Sequence, residues 1–136
     1  MMMRWLMSNV NDRLPDRQPT TRLLPMPVDT NAAGDLFGGW IMSQVDIAGA
    51  IEAYRRVRGR VVTVAVNSFQ FHEPVYVGDV VSFYADVVRV GRTSLTVDVV
   101  VYAERDRGEA GVVRVTEAVL TYVAVDASGR PTPVPA

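Results

Sequence analysis

The chain has 136 residues, 49% of them hydrophobic and 21% charged, a balance that is typical of one globular domain. The formal net charge of −1 gives no electrostatic basis for a nucleic-acid partner. The sequence contains no cysteine, no lysine and a single histidine, His72, which excludes a disulfide framework, a thiolate or Schiff-base nucleophile and a metal site built from several histidines.

Residues 1–19 are predicted to form a loose leader, because they are largely polar beyond Met7 and contain Pro15 and Pro19. The apolar start, Met1–Ser8, is too short for the core of an export signal. The sequence also contains no run that approaches the ~18 apolar residues needed to span a bilayer. We therefore expect a cytoplasmic protein with no membrane partner. One domain is expected over residues 20–132, followed by a tail at 133–136.

A short strand and a long helix are predicted next in chain order. Thr21–Met26 is apolar and ends at prolines, which is typical of an edge strand. Ile41–Arg58 carries apolar side chains at helical spacing, and Gly59 just beyond it is a stop signal. This helix is apolar nearly all round, so we expect it to be buried on most sides.

The chain after Gly59 is predicted to form four antiparallel strands. The stretch from Thr93 alternates between apolar and polar residues, as a half-buried strand does. The predicted strands are Arg60–His72, Asp79–Val90, Thr93–Glu104 and Val112–Val125. This order predicts an α+β fold in which a five-stranded antiparallel sheet wraps a long central helix. Because one chain supplies only about five strands, we expect the sheets of two chains to join across a dimer.

Two features at the predicted helix carry chemistry. Gly38 and Gly39 lie where the helix begins, so their backbone N–H groups can face a ligand and stabilise an oxyanion. Asp46 lies inside the helix among apolar residues, where a carboxylate is either satisfied structurally or poised for reaction. Close helix–sheet packing is the alternative explanation for the two glycines, and a solvated helix end is the alternative for the arginines at 55–60.

Five motifs strengthen the functional interpretation of these residues. They are Asp29–Asp46, Gly59–Val64, Pro74–Asp79, Gly91–Ser94 and Tyr122–Asp126. In this order and at this spacing, over about residues 20–132, they resemble the hotdog-fold acyl-CoA thioesterases of the YciA type. The resemblance implies a long helix wrapped by an antiparallel sheet, and a dimer with active sites at its interface.

The resemblance also implies roles for individual residues. Asp46 would be the catalytic carboxylate, Asn31 would join the same site from the other subunit, and Gly38 and Gly39 would polarise the thioester carbonyl. The implied contacts of coenzyme A are Arg60, Arg92, Thr93 and Ser94. No metal or cofactor is expected beyond the CoA of the substrate. The family often forms hexamers as trimers of dimers, and we expect this assembly, within fatty acid metabolism.

Hydrolysis of a thioester needs few side chains, because the thiolate that leaves has a conjugate acid with a pKa around 8.5. Asp46 would act either as a general base or as a nucleophile that forms an anhydride, and the sequence leaves both open. Two alternatives use the same fold. A hydratase or dehydratase would need His72, which is placed at the far end of a strand, and a non-catalytic acyl-CoA-binding protein would use the site only to bind.

Overall fold

The computed structural model describes residues 12–136, and the part of the predicted leader before Asp12 lies outside these described residues. The main elements are β1 (Thr21–Leu23), α1 (Gly38–Val57), β2 (Val61–Phe71), β3 (Val80–Val90), β4 (Ser94–Glu104) and β5 (Val112–Ala124). Short 3-10 turns occupy Pro27–Asp29 and Arg105–Gly108. The first strand is shorter than predicted, because Pro25 cannot donate to the ladder.

The five strands form one antiparallel sheet in the order β1-β3-β4-β5-β2. The helix α1 packs on one face of this sheet. Burial alternates along the whole of β4, as the sequence predicts, so its apolar face contributes to the core beneath the helix. The predicted hotdog architecture, a long helix against a five-stranded antiparallel sheet, is therefore confirmed.

The helix is buried on only one side of a single chain. Its buried residues, which face the sheet, are Ile41, Val45, Ala48, Gly49, Ala53 and Val57. On other sides Met42, Ile47 and Tyr54 are 43%, 49% and 48% exposed. The expectation that the helix is buried on most sides is therefore not met within a single chain. One twisted sheet covers one face of the helix, and the apolar residues on its other faces remain exposed in the single chain.

The edge strand β2 is also left open. This eleven-residue strand pairs on one side with β5, with two bulges in the pairing, and it is the last strand of the sheet. Val64, Val66 and Phe71 on this strand are 54%, 47% and 51% exposed. A long apolar edge strand is a template for pairing with another chain. The position of this edge agrees with the expectation that two sheets join across a dimer.

The segments at both ends of the described chain contact the domain. Arg17 forms a bidentate ion pair with Asp86 on β3, at 2.6 and 3.0 Å. Near the other end, Val134 packs against the core and Arg56 donates to the carbonyl oxygen of Pro135. The domain limits at residues 20 and 132 stay a prediction.

Candidate active site

The first turn of α1 presents unpaired backbone amides. Phe37 is the N-cap residue and provides no side-chain hydrogen bond to the turn. Within residues 12–136, the N–H groups of Gly38 and Gly39 have no acceptor, and both residues are exposed. Such groups, together with the positive end of the helix dipole, form a site for an oxygen that carries negative charge.

The loop before the helix is held by Asn31. Its Oδ1 atom accepts hydrogen bonds from the N–H groups of Ala33 and Asp35, at 2.9 and 3.1 Å. Because both backbone donors converge on Oδ1, the amide Nδ2 of Asn31 is directed away from the turn. This Nδ2 group has no acceptor within the described part of the chain, so it is available to a ligand.

A cleft of about 360 Å³ brings these two features together. It is lined by Asn31, Asp35, Leu36, Gly38, Ile41, Phe71, His72, Glu73, Pro74, Val75 and Val115. The ring of Phe71 closes over Gly38, where an added Cβ atom would lie 3.2 Å from the ring carbon Cζ. The structure therefore groups two of the predicted catalytic residues, Asn31 and Gly38, around one apolar cleft at the helix N-terminus.

His72 lies in the wall of this cleft rather than on open surface. It follows β2 directly, and its Nε2 atom is 2.8 Å from Oε2 of Glu117 on β5. This pairing occupies one ring nitrogen. The histidine is thus closer to the helix N-terminus than its position at a strand end indicates, and it is held there by the sheet.

Asp46 lies two turns further along α1 and is half-buried. Its Oδ1 atom accepts hydrogen bonds from Oγ1 of Thr63 at 2.7 Å and from the hydroxyl of Tyr122 at 3.0 Å. Thr63 on β2 and Tyr122 on β5 are direct cross-strand partners, so the sheet delivers both hydroxyls to one oxygen. Within residues 12–136, Oδ2 of Asp46 accepts no hydrogen bond and is open.

Sequence reasoning missed Thr63 and Tyr122 as partners of Asp46. Thr63 falls in one of the quoted motifs and Tyr122 opens another, but neither motif indicates which face the side chain occupies. The antiparallel register of β2 and β5 decides this. Burial and the nearby Asp46 carboxylate raise the pKa of Tyr122, so its hydroxyl stays a donor at neutral pH.

The predicted CoA contacts form a separate group at the far end of the helix. Arg60 accepts a backbone hydrogen bond from Val125, and Thr93 accepts one from Ala124. These bonds place Arg60, Arg92, Thr93 and Ser94 beside one another where β5 ends. Arg60 and Arg92 are exposed, and neither forms an ion pair with another described residue.

One chain does not bring all the predicted catalytic residues together. Gly38 and Asp46 are eight residues apart on one straight helix, which separates them by about 12 Å along its axis. That distance is too long for both to contact one carbonyl group. Among residues 12–136, none of the helices combines the length and hydropathy that spanning a bilayer requires, and no three His, Cys, Asp or Glu side chains are grouped so that they could hold a metal ion.

Comparisons with known proteins give a consistent result. A sequence model of the thioesterase superfamily matches residues 33–110. The acyl-CoA thioester hydrolase YciA of Salmonella typhimurium is 48% identical over 126 residues, which are 91% of this chain and 95% of that protein. A hexameric thioesterase from Yersinia pestis superposes with a TM-score of 0.85 at 48% identity, covering 90% of this chain and all of the other. A hexameric broad specificity acyl-coenzyme A thioesterase superposes with a TM-score of 0.82 at 48% identity, covering 91% of this chain and 85% of the other.

Proposed function

The chain belongs to the thioesterase superfamily, among the acyl-CoA thioester hydrolases of the YciA type, and we propose that it hydrolyses acyl-CoA with Asp46 as the reacting carboxylate. The products are a free acid and coenzyme A. The observation that carries this assignment is the Asp46 carboxylate, which is fixed through Oδ1 and open at Oδ2. The unpaired amides at the start of α1 supply the second requirement of the reaction, an oxyanion hole.

The chemistry balances without a metal ion or a further acid. As a base, Asp46 takes a proton from water while the water oxygen bonds to the thioester carbon. As a nucleophile, its carboxylate forms an anhydride that water then cleaves. In both routes the C–S bond breaks and the sulfur leaves as the thiolate of CoA. The N–H groups of Gly38 and Gly39 stabilise the oxyanion, and Nδ2 of Asn31 orients the water or the carbonyl.

The open edge of β2 supports a proposal for how distant residues form one site, namely that β2 pairs with its symmetry mate. In a symmetric antiparallel pairing, the Phe71 end of one β2 strand lies opposite the Val61 end of the other. Phe71 closes over Gly38, whereas Thr63, near the opposite end, holds Asp46. The pairing therefore sets the cleft of one subunit beside Asp46 of the partner subunit. Each dimer has two such composite sites.

The same pairing supplies a place for the CoA moiety. The arginines at positions 60 and 92 lie at the Val61 end of β2, so they adjoin the cleft of the partner subunit together with Asp46. A guanidinium group is suited to bidentate contact with phosphate oxygens. Arg60 and Arg92 are the proposed phosphate contacts, and Thr93 and Ser94 are proposed to contact the pantetheine arm.

We also propose that the dimers assemble into a hexamer, as a trimer of dimers. Both solved structures described above are hexameric thioesterases, at 48% identity to this chain. Sedimentation equilibrium would test this assembly against the mass of six chains of 15.0 kDa. The cytoplasmic location stays a prediction from the sequence.

The reaction is tested by measuring CoA release with a thiol reagent from a panel of short, long and aromatic acyl-CoAs. Asp46→Asn keeps the side-chain volume and removes the base, so turnover should fall by about 10³-fold or more while the melting temperature is retained. Near-normal turnover by this variant would refute the role of Asp46. A hydratase would consume an enoyl-CoA without releasing thiol, and a binding protein would gain thermal stability from acyl-CoA without releasing thiol.

The division of the site between subunits is tested by complementation. Asp46→Asn and Asn31→Asp each inactivate the part of the site that one subunit contributes. The carboxylate introduced by Asn31→Asp still accepts the two backbone hydrogen bonds of the loop. Co-expression of the two variants forms mixed dimers with one intact site, which should restore about a quarter of the wild-type activity. A site contained within one chain would show no recovery. Each variant expressed alone is the control.

A further inference from the structure

A glycine occupies a buried position in the middle of the central helix. Gly49 lies among the residues of α1 that face the sheet, although glycine is among the poorest helix formers. An added Cβ atom would lie 3.0 Å from Cζ and 3.1 Å from Cε1 of Tyr122, and closer still to the hydroxyl oxygen. No side chain fits at position 49 while Tyr122 keeps its place.

Tyr122 uses the space that Gly49 leaves. The residue is fully buried, and its hydroxyl lies 2.8 Å from the carbonyl oxygen and 3.0 Å from Oδ1 of Asp46. A phenol has one proton to donate, so the backbone carbonyl oxygen and Oδ1 of Asp46 share it. The hydroxyl has no other acceptor within residues 12–136, so the glycine accommodates a contact made to Asp46.

Two donors on one carboxylate oxygen distinguish Oδ1 from Oδ2. Thr63 and Tyr122 both donate to Oδ1, from two neighbouring strands, which fixes the plane of the carboxylate. Within the described residues, no arginine, histidine or second carboxylate hydrogen-bonds or ion-pairs with Asp46, so these hydroxyls are its polar surroundings. The oxygen left to meet a water molecule or a thioester carbon is Oδ2.

We propose that Tyr122 is a positioning residue for the hydrolysis, and that Gly49 is required because it admits the Tyr122 hydroxyl to Asp46. The inference rests on the proposed role of Asp46 and adds two residues behind it. Tyr122 acts through the carboxylate and does not touch the substrate. Its hydroxyl directs Oδ2 toward the reacting atoms and stabilises the charged form of the carboxylate.

The first test is Tyr122→Phe, which removes one oxygen and keeps the ring. The kcat should fall about tenfold, the free-energy equivalent of one hydrogen bond, while KM stays within about twofold. Because a donor to the charged carboxylate is lost, the acid limb of kcat/KM should move to higher pH. Tyr84→Phe is the matched control, since Tyr84 is also buried but packs against Tyr102 and Arg17.

If the Tyr122 hydroxyl is purely structural, Tyr122→Phe will have a lower melting temperature. Its kcat and the acid limb of its kcat/KM profile will then equal those of Tyr84→Phe. That result would overturn the proposal. If Asp46→Asn retains activity, the proposed function itself fails. If Asp46→Asn is inactive and Tyr122→Phe matches wild type, only the positioning role fails.

Gly49→Ala provides a second test that does not depend on the first variant being stable. In the wild-type background the new methyl group displaces the hydroxyl, so kcat should fall about as far as in Tyr122→Phe. In the Tyr122→Phe background the closest contact of the new methyl group, the hydroxyl oxygen, is already absent. Only the ring carbons at 3.0 and 3.1 Å then have to shift, so Gly49→Ala should change kcat less than about threefold further. Fully multiplicative losses in the double variant would contradict the proposal, as would a Gly49→Ala enzyme with wild-type kcat.

Discussion

The loop that forms one wall of the cleft is fixed by a buried ion pair, and breaking this pair should have a large effect. Arg105 pairs with Asp79, and their side chains are 16% and 6% exposed. Asp79 also accepts a hydrogen bond from the N–H group of Tyr76, and Arg105 donates to the carbonyl oxygen of Pro74 at 2.8 Å. These bonds tie the end of β4 to the loop that runs along the cleft.

Arg105→Ala should cost about 3–5 kcal/mol of unfolding free energy, because it leaves Asp79 buried and without its cation. For a chain of this size, that loss corresponds to a fall of about 10–20 °C in melting temperature. The control is Arg17→Ala, which breaks an ion pair whose side chains are 46% and 53% exposed. An exposed pair contributes about 0–1 kcal/mol, so this variant should be nearly neutral.

The loss in Arg105→Ala should depend on pH. Burial raises the pKa of Asp79 above its usual value, although the Tyr76 amide and Arg105 oppose the shift. The folded state therefore binds this proton more tightly than the unfolded state. The contribution of Asp79 to stability is complete below its pKa in the unfolded state. It is lost as pH rises from that pKa through the higher pKa in the native state. Removing Arg105 raises the native pKa further, so the loss should be larger at pH 7 than at about pH 4.5.

Urea denaturation at both pH values, at one protein concentration, measures this dependence. Asp79→Asn added to Arg105→Ala should recover part of the stability at pH 7, because the amide still accepts from Tyr76 and carries no charge. A loss below about 1 kcal/mol, or a loss equal at both pH values, would refute the account of a buried charge. Since Pro74 also lines the cleft, the KM for acyl-CoA should rise in Arg105→Ala.

Two further predictions concern the site. Thr63→Val removes the 2.7 Å hydrogen bond to Oδ1 of Asp46 at nearly constant volume, so kcat should fall about tenfold in the CoA-release assay; an unchanged kcat would exclude a role for the Thr63 hydroxyl. Arg60→Ala with Arg92→Ala should raise the KM for acyl-CoA about tenfold, leave kcat nearly unchanged and weaken the salt dependence of KM. A fall in kcat at constant KM would show that these arginines do not contact the CoA phosphates.

The sequence predicts the frame of the fold because each element has a local signal. The β4 strand alternates in burial as its residues alternate in polarity, and β2, β3 and β5 extend within a few residues of their predicted limits. The helix end differs in detail. Gly59 is the predicted stop, but α1 ends at Val57 and Arg58 adopts the left-handed conformation, with φ of 56°. Gly59 has the higher local propensity for that conformation, but the chain adopts it one residue earlier, so local propensity does not fix the exact helix end.

The carboxylate of the proposed site can be predicted from the sequence, whereas its surroundings cannot. Asp46 stands out because a charge inside an apolar helix needs an explanation. Its partners Thr63 and Tyr122 come from strands that are distant in sequence, and they meet Asp46 because the β2–β5 register makes them cross-strand partners. A slip of one residue would turn either side chain to the opposite face. Side chains that act through tertiary register therefore leave no local trace in the sequence.

The open edge of β2 connects stability to activity in this protein. A single chain leaves the edge strand unpaired and leaves apolar residues of α1 exposed, which is a liability for a monomer. The same strand holds Asp46 through Thr63 at one end and closes over Gly38 through Phe71 at the other. Pairing β2 with its symmetry mate would cover the edge and join the two halves of each proposed site in one step. In the proposed dimer, the surface buried by association would therefore also be the surface that carries the reacting groups.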